Sequence, residues 1–130
     1  MRLLFGGGTS VRTVTLHVWT DSGALDPGTE IYSGTFDITG ADDSFSELDL
    51  SGMGVRVSGP FRVGIEFTAG GLPSVASDTD GSISAANNFI RAVPGGWFQS
   101  SSLGLSGDWI IRAVVTPDVD AGVTLDASVE

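Results

Sequence analysis

Two aspartates in the segment SDTDGS have the spacing of a cation-binding loop. Asp78 and Asp80 are separated by one residue and followed by Gly81, so both carboxylates can point to the same side of a tight turn. Calcium prefers such oxygen ligands, and Asn87 or Asn88 can add a carbonyl oxygen. The segment is not an EF-hand, because Phe89 occupies the twelfth position from Asp78, where a bidentate glutamate is needed. The alternative is a solvated loop whose aspartates accept hydrogen bonds from backbone N–H groups.

A second candidate site is the segment VPGGWFQSSS, in which aromatic and amide side chains follow a glycine turn. Trp97, Phe98 and Gln99 lie between that turn and a run of serines, where we expect partial exposure. A flat indole beside amide and hydroxyl groups is a surface on which a sugar ring can stack. The pattern indicates a ligand-binding platform for carbohydrate, with ordinary packing of Trp97 as the alternative.

Catalytic devices find little support in the sequence. The single histidine, His17, lies between Leu16 and Val18 and is interpreted as a surface residue of a strand. The chain has no G-x-S-x-G nucleophile elbow, and its GGGTS segment lacks the lysine of a phosphate-binding loop. Its 16 acidic residues offer so many carboxylate pairs that none is specific to glycoside hydrolysis. We therefore predict that the protein is not an enzyme.

The composition is strongly acidic. The chain of 130 residues has 16 acidic side chains against six arginines and no lysine, and its formal net charge is -10. Such a surface cannot neutralise many phosphates, so nucleic acids and anionic membranes are disfavoured as partners. The acidity fits a soluble exported or salt-tolerant protein, and cations remain compatible partners. Cysteine is absent, which excludes disulfides and thiolate metal sites.

The elements that must position these side chains are predicted to be β-strands. In the segment 60–68, PFRVGIEFT, apolar and polar side chains alternate, which is typical of a half-buried strand. No helix-length segment repeats apolar residues at helical spacing, and glycine interrupts most of the chain. Further strands are predicted at 11–20, 30–38, 44–50, 54–57, 88–93, 97–99 and 108–116. About eight short strands favour an all-β fold, a two-sheet antiparallel β-sandwich that is jelly-roll-like.

Three of these predictions concern local detail. Gly34 is expected to divide the segment 30–38 into two short strands. Phe45 is expected to face the core together with Leu48 and Leu50. The segments on either side of Pro94 are expected to pair as a hairpin.

The chain has the usual size of a single domain. We expect a flexible leading segment at 1–10, a β-sandwich domain at 11–116, and a tail or edge strand at 117–130 with a weak strand pattern at 123–125. The opening MRLLFGGG lacks the apolar stretch of a secretory signal, so either a signal has been removed or the chain is a fragment of something longer. No segment has the length needed to span a bilayer, so membrane insertion is not predicted.

The order of the segments resembles a group of β-sandwich modules found in large secreted and cell-surface bacterial proteins. The similarity lies in the segments TVTLHVWTDSGALDPGTEIYSG, GPFRVGIEF, PSVASDTDG and GDWIIRAVV, and it covers about residues 14–115. The resemblance implies an extracellular accessory module, often placed beside peptidase or glycan-degrading domains. It implies no catalytic residue.

Two functions from different classes follow as predictions. The first is a non-catalytic extracellular bacterial module that recognises a glycan or another surface polymer through loops at one end of the sandwich. The alternative is a structural module that self-associates or forms filaments by pairing sheet edges with neighbouring copies.

Overall fold

The computed structural model describes residues 1–68, 70–80, 85–92 and 94–118, and in these residues the regular structure is almost entirely β. Two short 3-10 helices lie at Ala85–Asn87 and Ser100–Leu103. The prediction of an all-β fold is confirmed for this part of the chain, whereas the strand expected at 123–125 lies outside it. The strands are β1 Arg2–Leu3, β2 Phe5–Gly6, β3 Val11–Thr20, β4 Glu30–Thr39, β5 Ser46–Glu47, β6 Phe61–Glu66, β7 Ser74–Val75, β8 Ser77–Asp78, β9 Phe89–Arg91, β10 Trp97–Gln99, β11 Asp108–Trp109 and β12 Ile111–Arg112.

All strand pairs are antiparallel, and they form several small sheets, none of which closes among the described residues. The most extensive sheet has the order β4-β3-β6. Its central strand β3 pairs with β4 from Val11 opposite Thr39 up to a bulge between Val18 and Trp19. The other three-stranded sheet has the order β12-β1-β5, and three two-stranded pairs join β10 to β9, β11 to β8 and β2 to β7.

The core lies against the inner face of the sheet β4-β3-β6. Along β3 every second side chain is buried, which is the alternation that a strand with one face on a core requires. The facing side of the core comes from β1, β2 and the residue after β5. The buried cluster consists of Leu3, Phe5, Val14, Leu16, Ile38 and Leu48.

Residues 1–10 differ from the expectation of a flexible leading segment. Leu3 and Phe5 are fully buried, and their strands pair with β12 and β7. Full burial of a large apolar side chain contributes roughly 1.5–3 kcal/mol, so this segment adds substantially to the stability of the core. A strand of two residues is too short to show alternation in the sequence.

Three backbone segments meet in a closed triangle of hydrogen bonds. The N–H of Leu4 donates to the carbonyl of Ile110 at 3.0 Å, Ile110 donates to Ala76 at 2.9 Å, and Ala76 donates to Leu4 at 2.9 Å. Each segment changes its pairing partner at this point, so the strand predicted at 108–116 is divided into β11, paired with β8, and β12, paired with β1. This corner fixes the two ends of the described chain to its middle.

Strand β4 runs through Gly34 without a break, so the prediction of two short strands is wrong. An added Cβ at Gly34 would clash with the hydroxyl oxygen of Tyr32. The glycine therefore makes room for a neighbouring aromatic side chain and does not end the strand.

The region between β4 and β6 was predicted least well. Phe45, expected to face the core, is 54% exposed, although Leu48 is buried as expected. The segment 54–57 forms no strand, and it follows a turn in which Met53 N–H donates to the carbonyl of Leu50. The alternating apolar residues of segment 54–57 predict a strand, but no segment of the described chain pairs with it.

Candidate functional site

The hairpin β9–β10 packs on the outer face of the sheet β4-β3-β6, the face opposite to the core. Trp19 on β3 meets Trp97 on β10 edge-on, with ring centroids 5.5 Å apart and an interplanar angle of 90°. Arg62 on β6 is the cross-strand neighbour of Trp19, and its guanidinium carbon lies 4.1 Å from the ring centroid of Phe89 on β9. The predicted hairpin is confirmed by its register, in which Trp97 is opposite Arg91. The two contacts together dock the hairpin on the sheet.

Arg62 fixes the loop between β3 and β4 next to this hairpin. Its Nε and one terminal nitrogen donate to the same carboxylate oxygen of Asp21 at 3.0 and 2.8 Å. The terminal nitrogens also donate to the carbonyls of Ala24 and Leu25. The backbone N–H of Gly23 and the Arg62 guanidinium, in that order of importance, hold the pKa of Asp21 below its ordinary value. The Arg62 side chain is 12% exposed and that of Asp21 is 33% exposed, so the guanidinium is largely shielded from solvent while the carboxylate stays partly accessible.

A cleft of about 260 Å³ lies between this loop and the hairpin. Asn87, which is exposed, and Gln99, which is half-buried, are among the residues that line it, and neither side-chain amide has a hydrogen-bond partner within residues 1–68, 70–80, 85–92 and 94–118. Each amide offers N–H donors and a carbonyl acceptor, so the cleft presents both kinds of group to a polar ligand. The lining consists of Asp21, Gly23, Ala24, Leu25, Arg62, Ala86, Asn87, Phe89 and Gln99.

His17 forms a second polar arrangement on the same sheet face. Its Nδ1 lies 2.5 Å from a carboxylate oxygen of Glu30, and its Nε2 lies 3.0 Å from one of Glu66. The ring also stacks on Trp19, with centroids 5.0 Å apart and an interplanar angle of 6°. Both ring nitrogens are therefore engaged by protein groups, and the histidine supports the position of the Trp19 indole.

The structure separates the three residues predicted to form the sugar platform. Trp97 and Gln99 share the face of β10 that is turned to the sheet, as residues two apart on a strand must. Phe98 lies on the opposite face and is 41% exposed. Trp97 is half-buried against Trp19, which is the packing role given above as the alternative. Of the three predicted platform residues, Gln99 lines the cleft, whereas Trp97 and Phe98 do not.

The residues proposed as calcium ligands lie in different elements, with Asp78 in β8 and Asn87 in the 3-10 helix Ala85–Asn87. Asp78 lies in β8, and its Oδ1 accepts a hydrogen bond of 2.9 Å from the N–H of Asp80. This is the turn-capping role given as the alternative to metal binding. Asn87 lies in the lining of the cleft, and Gly81 of the motif lies outside the described residues. Among the residues that the structure describes, no group of three or more histidine, cysteine or acidic side chains is placed to hold a metal ion.

A buried polar network behind the hairpin was not anticipated from the sequence. The Asn88 amide donates to a carboxylate oxygen of Asp108 at 2.8 Å and accepts from the backbone N–H of Trp109 at 3.0 Å. The indole N–H of Trp109 donates to Ser100 Oγ at 3.1 Å. Asn88, Ser100 and Asp108 are all buried, so the network ties the hairpin to β11. From the sequence, Asn88 is interpreted only as the first residue of the strand predicted at 88–93 and as an alternative calcium ligand.

No protein-family model matches the sequence, and comparison with curated proteins and with solved structures finds no match. Within the described residues, no helix combines the length and the apolar character needed to cross a membrane.

Proposed function

We propose that this chain is a non-catalytic β-sandwich module, jelly-roll-like and of two sheets, from a secreted or cell-surface bacterial protein, and that it binds a glycan in the cleft beside the hairpin β9–β10. The observation that carries the proposal is the pair of amides of Asn87 and Gln99, which line one cleft and have no partner in the described part of the chain. Trp97 stands next to Gln99 on the same strand face. The extracellular setting rests on the resemblance of the segments 14–115 to bacterial accessory modules.

The charge distribution supports a glycan over a polyanion. Arg2 and Arg56 are paired with carboxylates, and Arg12 donates to two backbone carbonyls. Arg62 is paired with Asp21. These engaged arginines belong to a chain of formal net charge -10, so few cationic groups remain for the phosphates of a nucleic acid or a lipid.

Binding of soluble polysaccharides, measured by isothermal titration calorimetry across a broad glycan panel, tests this proposal. We expect Gln99→Ala and Asn87→Ala each to weaken binding about five- to tenfold, the usual effect of removing one hydrogen-bonding partner. Phe98→Ala is the matched control, because Phe98 is a neighbour in sequence that faces away from the cleft. Absence of binding to every glycan, or an equal loss in the control, would contradict the proposal.

A second candidate function is assembly through sheet edges. Strand β4 is ten residues long and lies at one edge of its sheet, where its outer backbone groups can pair with another chain. Light scattering over a range of protein concentrations distinguishes the two functions. A monomer at all concentrations that binds a glycan supports the first, and an oligomer or filament without ligand supports the second.

A further inference from the structure

The charged groups inside the cleft neutralise each other. The guanidinium of Arg62 is held by the carboxylate of Asp21, with 2.8 Å between the paired atoms, and by two backbone carbonyls. The remaining polar side chains of the lining are the uncharged amides of Asn87 and Gln99. From this balance we infer that the ligand of the cleft is a neutral sugar and not an acidic one. The inference rests on the proposed function and narrows it to a class of glycan.

Uncharged hydroxyl groups suit the two amides. A sugar hydroxyl donates one hydrogen bond and accepts others. Each amide can accept the first through its carbonyl oxygen and donate to the hydroxyl through its N–H groups. A carboxylate only accepts hydrogen bonds, so it can be bound by the N–H groups of the two amides but not by their carbonyl oxygens. Desolvation of a charged group without a counter-charge is also costly, and the one guanidinium in the lining is already paired.

The negative charge around the cleft also disfavours an acidic sugar. Glu30 and Glu66 lie on the same outer sheet face as the hairpin, where they flank His17. The whole chain carries a formal net charge of -10. An acidic oligosaccharide approaching this face is therefore repelled, and the repulsion is strongest at low ionic strength.

Arg91 is the cationic side chain near the cleft that could bind an acidic sugar. It is exposed, it is opposite Trp97 in the hairpin, and it has no ion-pair or hydrogen-bond partner within the described ranges of the chain. Residues directly opposite each other on two strands project to the same face. If the site recognised an acidic sugar, Arg91 would be the group to bind its carboxylate.

The experiment compares neutral oligosaccharides with uronate oligosaccharides of the same linkage and length, at low and at moderate salt. We expect the neutral oligosaccharide to bind at least about tenfold more tightly than the uronate. Gln99→Ala is expected to weaken binding of the neutral oligosaccharide, and Arg91→Gln to leave it unchanged. Tighter binding of the uronate that Arg91→Gln abolishes would overturn the neutral class while leaving glycan binding intact. Binding of neither member across the panel would overturn the proposed function itself.

Discussion

The indole of Trp97 stands perpendicular to the indole of Trp19, and this contact joins the hairpin β9–β10 to the outer face of the main sheet. Gly64, opposite His17 in the register, lies beneath the Trp19 ring. An added Cβ at Gly64 would lie 2.9 Å from Cζ3 and 3.2 Å from Cη2 of that ring. Strand β10, which carries Trp97 and the cleft residue Gln99, is therefore positioned through a residue of β6 that has no side chain.

The first prediction follows from this close approach. We expect Gly64→Ala to destabilise the protein by about 1–3 kcal/mol, because the indole of Trp19 must move and its contacts with Trp97 are strained. Urea unfolding followed by tryptophan fluorescence measures both the loss and the change in indole environment. Gly52→Ala is the matched control, since nothing lies within 4 Å of an added Cβ there. An equal change in the two variants would contradict the role given to Gly64.

The second prediction concerns the hydrogen-bonding fork of Arg62, meaning the guanidinium nitrogens that donate to Asp21, Ala24 and Leu25. Lysine keeps the charge but cannot donate at once to Asp21, Ala24 and Leu25, nor lay a flat cation over Phe89. We expect Arg62→Lys to lower the free energy of unfolding by about 2–3 kcal/mol and to weaken glycan binding by releasing the loop that borders the cleft. Arg2→Lys serves as the control, because Arg2 forms an exposed pair, and exposed pairs contribute about 0–1 kcal/mol. A similar, small loss in both variants would show that the fork is not needed.

The third prediction is a dependence on pH that originates at Asp21. Because the pKa of Asp21 is depressed in the folded state, its contribution to stability is complete above its ordinary value of about 3.9 and is lost as the pH falls through the lower folded-state value. We expect Asp21→Asn to be less stable than the native protein at about pH 6, and the two stabilities to converge in strong acid. Urea unfolding at a series of pH values measures the difference.

Asp49 also makes the free energy of unfolding fall in acid, but it does not affect the comparison between the native protein and Asp21→Asn. The pKa of Asp49 is lowered chiefly by a hydrogen bond from the backbone N–H of Ser51. Its effect is the same in the native protein and in Asp21→Asn, so it cancels in the difference between them. A difference that stays constant from neutral pH to strong acid would rule out the linkage at Asp21.

The fourth prediction separates the two interpretations of the Asp78 loop. Asparagine can also accept the hydrogen bond from Asp80 N–H, so we expect Asp78→Asn to remain within about 0.5 kcal/mol of the native stability and Asp78→Ala to lose about 1 kcal/mol. We expect millimolar calcium to leave the melting temperature unchanged, because Asp78 caps the turn and the described residues bring no group of three or more acidic or histidine side chains together there. A calcium-dependent rise that Asp78→Asn abolishes would establish a calcium site instead.

How far the sequence predicted the fold depended on the length of each element. Strand β3 and the hairpin β9–β10 were identified because side chains alternate over several residues or flank a glycine turn. Strands β1 and β2 have two residues each, and their partners lie far along the chain. No local pattern can reveal such pairing, since the burial of Leu3 and Phe5 depends on tertiary contacts.

The candidate site was predicted only in its parts. Residue chemistry alone pointed to Gln99 as a ligand-binding group and to Asn87 as a calcium ligand, and the structure places both residues in the lining of one cleft. Arg62 was not singled out, because its importance comes from the loop and ring that happen to meet at its guanidinium. Phe98 was grouped with its neighbours because adjacency in sequence does not reveal which face of a short strand each side chain takes.

The triangle of hydrogen bonds among Leu4, Ala76 and Ile110 also bears on how the molecule is made. Its three corners come from the beginning, the middle and the late part of the chain, so none of them can be closed by a local turn. Bringing distant segments together costs chain entropy before the contacts offset it, and folds dominated by such pairings form in milliseconds to seconds. During synthesis β1 can pair with β5, and β2 with β7, before the triangle closes, which requires the nascent chain to have left the ribosome as far as Ile110.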